Sequence, residues 1–314
     1  MLKIWSSEKY LRSKNDVRPI LMPFFEHGVD NGPDKGRFDK WILEGKNVFQ
    51  LSSLEESDFV IYPQDPTIDP NGFQKFQNIT GNKPLIIFFN SDSEQKINMR
   101  PNSYLFRTSA QKNSSLVNEF GLPAWSSECG KLSERVWESI PTIGFCGQDR
   151  TPKTRSICLD ILKSSNLIKT NFIRKNEFWG GWFSKGMKID HGNLLRKEFI
   201  NNMNNSDYIF CARGGGNFSY RLYETLSAGR IPLLIDTNCL LPCCLCSQES
   251  YELFPRVMEN NLREIPNILF NFHQEHKDNF IELQNKIRKF WEDNLSPTGF
   301  FKYIEKKMRV FINE

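Results

Sequence analysis

Two apolar runs that stand close together constrain the fold of this chain more than any other feature. The first is YIFCA at 208–212 and the second is RIPLLID at 230–236. Between them lie three consecutive glycines and a segment of helical character, FSYRLYETLSAG at 218–229. Continuous apolar runs suit strands that are buried on both faces. A strand, a helix and a second strand in succession make a parallel β-α-β unit. Within the helical segment Phe218, Leu222 and Leu226 form an apolar stripe. Gly229 suits the residue just past the helix end, and Asp236 closes the second strand.

The same grammar repeats along the chain. KPLIIFFNSD at 83–92 is the strongest further strand candidate, and SYLFRTS at 103–109 is a shorter one. DFVIYPQDP at 58–66 is an apolar run stopped by prolines, and VRPILMPFF at 17–25 reads as a strand entering a loop. RFDKWILEG and PNGFQKFQNIT are helix candidates between these runs. The polar stretch 126–141 marks a boundary, after which TIGFCGQ at 142–148 begins a second half. There TPKTRSICLDILKSSN reads as a helix, which Ile157, Leu159, Ile161 and Leu162 suit, KTNFIRK as a strand, and 193–207 as a helix. From Pro297 the tail PTGFFKYIEKKMRVFI is an amphipathic helix. The expected fold class is α/β, with two Rossmann-like domains. The first spans 1–135 and the second spans 136–296. A helix at 297–314 can pack back on the first domain.

With 314 residues, 39% hydrophobic and 25% charged, the chain is long enough for two cores. A net charge of +4, with lysines and arginines spread throughout, argues against nucleic acid as a partner. It suits an anionic ligand and leaves room for a peripheral contact with an acidic membrane surface. No leader segment is seen, and no window reaches the ~18 apolar residues of a membrane span, so the expected setting is cytoplasmic. Of eight cysteines, Cys239, Cys243, Cys244 and Cys246 crowd together at irregular spacings. That pattern favours reduced thiols over a zinc site. Cys146 and Cys211 fall in strand-like runs and belong to the core, while Cys129 and Cys158 are scattered.

The glycine loop is the candidate ligand site. Gly214, Gly215 and Gly216 let backbone N–H groups approach a ligand, and Asn217 and Ser219 are good N-cap residues for the helix that follows. A helix N-terminus favours phosphate or carboxylate, and Arg213 and Arg221 flank it with guanidinium groups. Arg221 and Glu224, three apart, share one helix face. They read either as an exposed ion pair or as a site at the mouth of a parallel sheet, with arginine on diphosphate and carboxylate on ribose. The dinucleotide fingerprint is absent because Ser219 stands where its last glycine belongs, and no P-loop exists. His191 could line the donor pocket, whereas His273 and His276 read as a solvated helix face. EFWGGWF at 177–183 offers aromatic faces for a sugar or base, or a plug at an interface.

At these residues the chain resembles a known family. SYRLYETLSAGRIPLLIDTNCLLP is similar to the exostosin-type signature of glycosyltransferase family 47, through Ser219, Arg221, Glu224, Gly229, Ile231, Pro232, Asp236, Leu241 and Pro242. The likeness covers about thirty residues, with a looser one at TIGFCGQDRTPKTR, similar to the start of that family's second domain. The resemblance implies a GT-B fold, two Rossmann-like domains facing each other across a cleft. It implies inverting transfer of a sugar from a nucleotide sugar, most simply a UDP-sugar, to a saccharide or lipid-linked saccharide acceptor. Arg221 would bind the donor diphosphate and Glu224 the ribose, within a set that includes Arg213, Gly214, Gly215, Gly216, Asn217, Ser219 and Asp236. Animal and plant members carry a membrane anchor that is not seen here, and Asn217-Phe218-Ser219 is a glycosylation sequon inside the loop. A bacterial enzyme of surface polysaccharide synthesis fits better. A fucosyltransferase-like enzyme using a GDP-sugar is the alternative, though Thr225 stands where it usually has lysine. A nucleotide- or phosphosugar-binding module without catalysis is another.

Inversion needs a base for the acceptor hydroxyl. Candidates from the first domain are Glu26 and His27, with Asp30 nearby, after the first apolar run, and Asp92 after the best strand. Arginines and helix N–H groups can meet the charge on the leaving group, so neither a metal nor a cofactor is expected. The nearest approach to an Asp-x-Asp motif is NSDSE at 90–94.

Overall fold

The computed structural model describes all residues except 29–34, 182–185, 187 and 314. The first sheet holds β1 (Leu2–Trp5), β2 (Phe49–Leu51), β3 (Phe59–Ile61), β4 (Leu85–Phe89), β5 (Ser103–Arg107) and β6 (Glu119–Gly121). Their spatial order is β2-β1-β3-β4-β5-β6, and every pairing described is parallel. Helices α1 (Asp39–Val48) and α2 (Pro70–Ile79) connect its strands. β4 and β5 are buried along their whole lengths, as the unbroken apolar run of β4 requires in the middle of a parallel sheet.

The second sheet runs β11-β10-β9-β7-β8 and is also parallel. Its strands are β7 (Thr142–Gln148), β8 (Lys169–Lys175), β9 (Tyr208–Cys211), β10 (Ile231–Asp236) and β11 (Arg256–Met258). Between them come α3 (Lys153–Lys163), α4 (Ile189–Asn204), α5 (Tyr220–Ser227) and α6 (Gln248–Leu253), followed by α7 (Ile265–Glu275) and α8 (Phe280–Asn294). From β7 the chain goes to β8 on one side, and it later returns to place β9 on the other side. The carboxyl ends of β7 and β9 therefore form a topological switch point, where open parallel sheets leave a crevice. Among the described residues no helix is long and apolar enough to cross a membrane.

α9 (Pro297–Asn313) leaves α8 and buries Phe300, Phe301, Ile304, Met308 and Phe311 among Leu2, Ile4, Trp41 and Phe88 of the first domain. Phe311 stacks on Tyr104 at a ring separation of 3.7 Å. The connecting segment before β7 has neither helix nor strand from 122 to 141. Its backbone is instead held by the second domain, with Cys129 N–H on Ser227 Oγ, Leu132 N–H on the Ala228 carbonyl and Arg135 N–H on Gln284 Oε1.

Two sequence expectations fail. The run 17–25 is a series of turns, not a strand. Pro19 and Pro23 lack the N–H that a ladder needs, and the other amides close local bonds such as Leu21 and Met22 to the Arg18 carbonyl. The apolar residues serve as a plug, with Ile20 and Leu21 wholly buried. His273 is not solvated either. It is wholly buried on α7, with Nδ1 3.1 Å from the Tyr208 hydroxyl and Nε2 2.6 Å from the Glu138 carbonyl. Ile157 faces outward on α3, leaving Leu159 and Leu162 to fill the core. The short strands β1, β2 and β6 carry too few residues for a pattern to show.

Candidate ligand-binding site at the switch point

The glycine loop follows β9 and meets the loop that follows β4, so the carboxyl ends of the two sheets face each other. None of Gly214, Gly215 and Gly216 has a left-handed backbone. Close approach is what demands glycine here. A Cβ on Gly216 would lie 2.6 Å from Asp92 Cα and 2.9 Å from the Asp92 carbonyl oxygen. One on Gly215 would meet Asp92 Oδ2 at 2.8 Å, while one on Gly214 would find nothing nearer than Arg155 Nη2 at 3.8 Å.

Much of the loop's donor capacity is spent on protein. Gly214 N–H donates to the Phe218 carbonyl, and Asn217 N–H donates to Ser109 Oγ at 2.7 Å. The Asn217 side chain is wholly buried, donating to the Ala110 carbonyl and accepting from Thr237 Oγ1, which leaves no room for a glycan. Arg213 pairs with Glu94 at 3.1 Å across the seam, and Asn90 donates to the Tyr220 hydroxyl. Ser219 occupies the N-cap of α5, but its side chain makes no capping bond. The loop is thus an interdomain seam rather than the open phosphate cradle its glycines suggest.

The cationic centre lies just behind it. Arg221 on α5 donates to the Cys146 carbonyl at 2.8 Å and lies over the Phe145 ring at 4.4 Å. Arg155, at the start of α3, donates to the carbonyls of Gln148 at 2.7 Å, Arg213 at 2.7 Å and Ala212 at 3.2 Å. It therefore ties the loop after β7 to the loop after β9. Burial first, and then the neighbouring Arg221, push the Arg155 guanidinium down to about 10. Burial likewise lowers that of Arg221. The Nε atoms of Arg155, Arg213 and Arg221 are buried without a hydrogen-bond partner. Two adjacent half-buried cations with spare donors form a site that an anion would complete. Arg155 was not singled out from the sequence, although it closes the TIGFCGQDRTPKTR stretch.

Glu224 does not pair with Arg221. Its Oε1 accepts from Arg196 of α4 at 2.6 Å, because Arg221 is drawn instead to the β7 backbone and the Phe145 face. Among the described residues, its second carboxylate oxygen accepts no protein hydrogen bond that would compete with a hydroxyl ligand. Asp236 is occupied in a turn, accepting from Asn238 N–H at 2.8 Å, with Asn238 in the left-handed region. Of the candidate bases, Asp92 is the one whose atoms reach the glycine loop. Glu26 is an exposed partner of Lys14 at 2.5 Å, and His27 Nδ1 lies 3.3 Å from the Phe25 carbonyl. Asp30 lies outside the described residues, as do Trp182 and Phe183 of the aromatic run. His191 lies in the first turn of α4.

The class defined here is a protein of two parallel α/β domains whose sheets meet at their carboxyl ends, with an arginine-lined switch point in the second. No family model matches the chain. No curated protein matches it either. Among solved structures it is similar to TarM, with 11% identity over 82% of this chain and 55% of that one, at a TM-score of 0.47. It is also similar to a point variant of S. aureus TarM in complex with fondaparinux, alpha-GlcNAc-glycerol and UDP. That match has 11% identity, the same coverages of 82% and 55%, and a TM-score of 0.44. The chain spans about half the length of these solved structures.

Proposed function

We propose that the chain is an inverting glycosyltransferase of exostosin-like type that transfers a sugar from a UDP-sugar to a saccharide acceptor. The observation that carries this reading is the half-buried Arg155–Arg221 pair at the switch point, beside the glycine loop that meets Asp92 of the first domain. In this reading the diphosphate lies against the two guanidiniums, and the free oxygen of Glu224 accepts from a ribose hydroxyl. Asp92, across the seam, takes the proton of the acceptor hydroxyl as it attacks the anomeric carbon. The C–O bond to the diphosphate breaks on the opposite face, and the arginines stabilise the charge that develops there. No metal is needed for that step. The net charge of +4 supports work at an acidic membrane face in the cytoplasm, as surface polysaccharide synthesis would require.

The test is thermal unfolding with UDP, GDP, CDP and ADP, each with and without Mn²⁺, since a ligand of the native state raises Tm. The expected result is stabilisation by UDP, independent of Mn²⁺ and weakened about tenfold or more in a folded Arg221→Ala variant. That follows from the roughly 1.5–3 kcal/mol of a charged hydrogen bond. Asp92→Asn should then keep UDP affinity and lose turnover. Absence of a shift with every nucleotide would remove the donor site. Full turnover in Asp92→Asn would remove the base.

A further inference from the structure

Of the four cysteines that follow β10, two share one turn. Cys243–Cys246 is a single 3₁₀ turn of sequence CCLC, with Pro242 before it and Ser247 after it. Residues three apart eclipse in a 3₁₀ helix, and at about 2.0 Å of rise per residue their Cα atoms lie about 6 Å apart. A disulfide accepts Cα atoms roughly 4.4–6.8 Å apart, so Cys243 and Cys246 stand at bonding separation without movement of the backbone. Both are exposed and both thiols are free, whereas Cys239 is buried and Cys244 is half-buried. Leu245, between the pair, is wholly buried and pins the turn to the core.

The turn is also held at both ends. Upstream, Lys112 N–H donates to the Asn238 carbonyl at 2.8 Å and Leu240 N–H to the Ala110 carbonyl at 3.0 Å, so the strap 238–242 is paired with the first domain. It presses on β6 so closely that a Cβ on Gly121 would lie 2.2 Å from the Leu241 carbonyl carbon. Inside the turn, Leu245 N–H donates to the Pro242 carbonyl at 2.9 Å. Downstream, Ser247 caps α6 by accepting from Ser250 N–H at 3.3 Å. The two cysteines are therefore preorganised by contacts that the unfolded chain lacks. Burial raises the Cys246 thiol, against the opposing pull of Lys112 and Arg256, which makes it the poorer leaving group once bonded.

We propose that Cys243 and Cys246 form a reversible disulfide by exchange with a small-molecule disulfide such as oxidised glutathione. One cysteine, as its thiolate, attacks a sulfur of the oxidant, and a glutathione thiolate leaves. The second cysteine then attacks the protein sulfur of the mixed disulfide and expels the other glutathione. Two protein thiols are oxidised, one external disulfide is reduced to two thiols, and each protein thiol gives up its proton. This site stands apart from the transferase reading and needs no nucleotide.

The experiment equilibrates the folded protein at graded ratios of reduced to oxidised glutathione, quenches it with acid, alkylates it after unfolding and reads the peptide that holds 243–246 by mass spectrometry. The expected result is that Cys243 and Cys246 lose alkylation together. The peptide should then be lighter by two hydrogen atoms and free of glutathione, and excess reduced glutathione should restore both thiols. In urea the same equilibrium should lie roughly tenfold or more toward the thiols, because nothing holds the turn there. Cys243→Ser and Cys246→Ser should each stop at a mixed disulfide on the remaining cysteine. A pair that stays fully alkylatable at the most oxidising ratio overturns the proposal, as does a bridge that uses Cys239 or Cys244. Oxidation as easy in urea as in the folded protein overturns it too, since closeness in sequence would then suffice.

Discussion

Three neighbouring glycines make a graded experiment. If the loop is a phosphate cradle, alanine at any of Gly214, Gly215 and Gly216 should impair it similarly. If it is a seam between domains, the effect depends on what each new Cβ meets. At Gly216 it meets backbone, Asp92 Cα at 2.6 Å, and the edge of Phe218 at 2.9 Å. Backbone cannot rotate away, so the seam must part, and overpacking of this kind costs about 1–3 kcal/mol. For domains of this size that is a fall in Tm of roughly 2–12 °C, at about 2–4 °C per kcal/mol. At Gly215 the obstacle is the Asp92 carboxylate oxygen at 2.8 Å, which can swing aside at little cost. At Gly214 the nearest atom is 3.8 Å away, and alanine should stabilise by about 0.4–1 kcal/mol through the unfolded chain. Calorimetric unfolding of the three variants reads out the order. A double variant sharpens it, since Asp92→Ala should relieve Gly215→Ala but not Gly216→Ala. A Gly214→Ala variant as damaged as Gly216→Ala, or a harmless Gly216→Ala, would refute the reasoning.

Two further outcomes are expected. His273 is buried, and its burial, which outweighs the opposing Glu138 carbonyl contact, holds its pKa below the ordinary 6.5, so the folded protein keeps it neutral while the unfolded chain takes up a proton. Its stabilising share is present above about pH 6.5 and is lost as pH falls below it, by at most about 1.4 kcal/mol per pH unit. Urea unfolding at pH 7.5 and 5.5 should show that slope in wild type and a shallower one in His273→Gln; identical slopes would contradict it. Phe301→Ala on α9 should cost about 3–5 kcal/mol, because that ring is buried against Trp41 and Phe49. A loss below 1 kcal/mol in denaturant unfolding would mean that α9 does not anchor the first domain.

What the sequence by itself determined is the local grammar around residues 208–236. Unbroken apolar runs became β9 and β10, the segment between them became α5, and Gly229 took the left-handed backbone that ends that helix. β4, β7 and α9 were legible for the same reason. Each buries a face whose spacing is written in consecutive residues, and that burial is a property of the element alone. Cys146 and Cys211 likewise fell in the core, as their strand-like runs implied.

Only the tertiary structure decided which partner each polar group found. Asn217 looked like a helix cap and is a seam residue, because Ser109, 108 positions earlier, accepts its N–H. Arg221 and Glu224 looked like one pair and are two, because β7 draws one and α4 the other. His273 looked solvated and is buried, because Tyr208 and Glu138 come to it from distant segments. Arg155 became a cation of the site only when α3 was set beside the loop after β9. Periodicity reports whether a side chain turns toward an interior. The charge or carbonyl that waits there belongs to another part of the chain, and no pattern among near neighbours carries it.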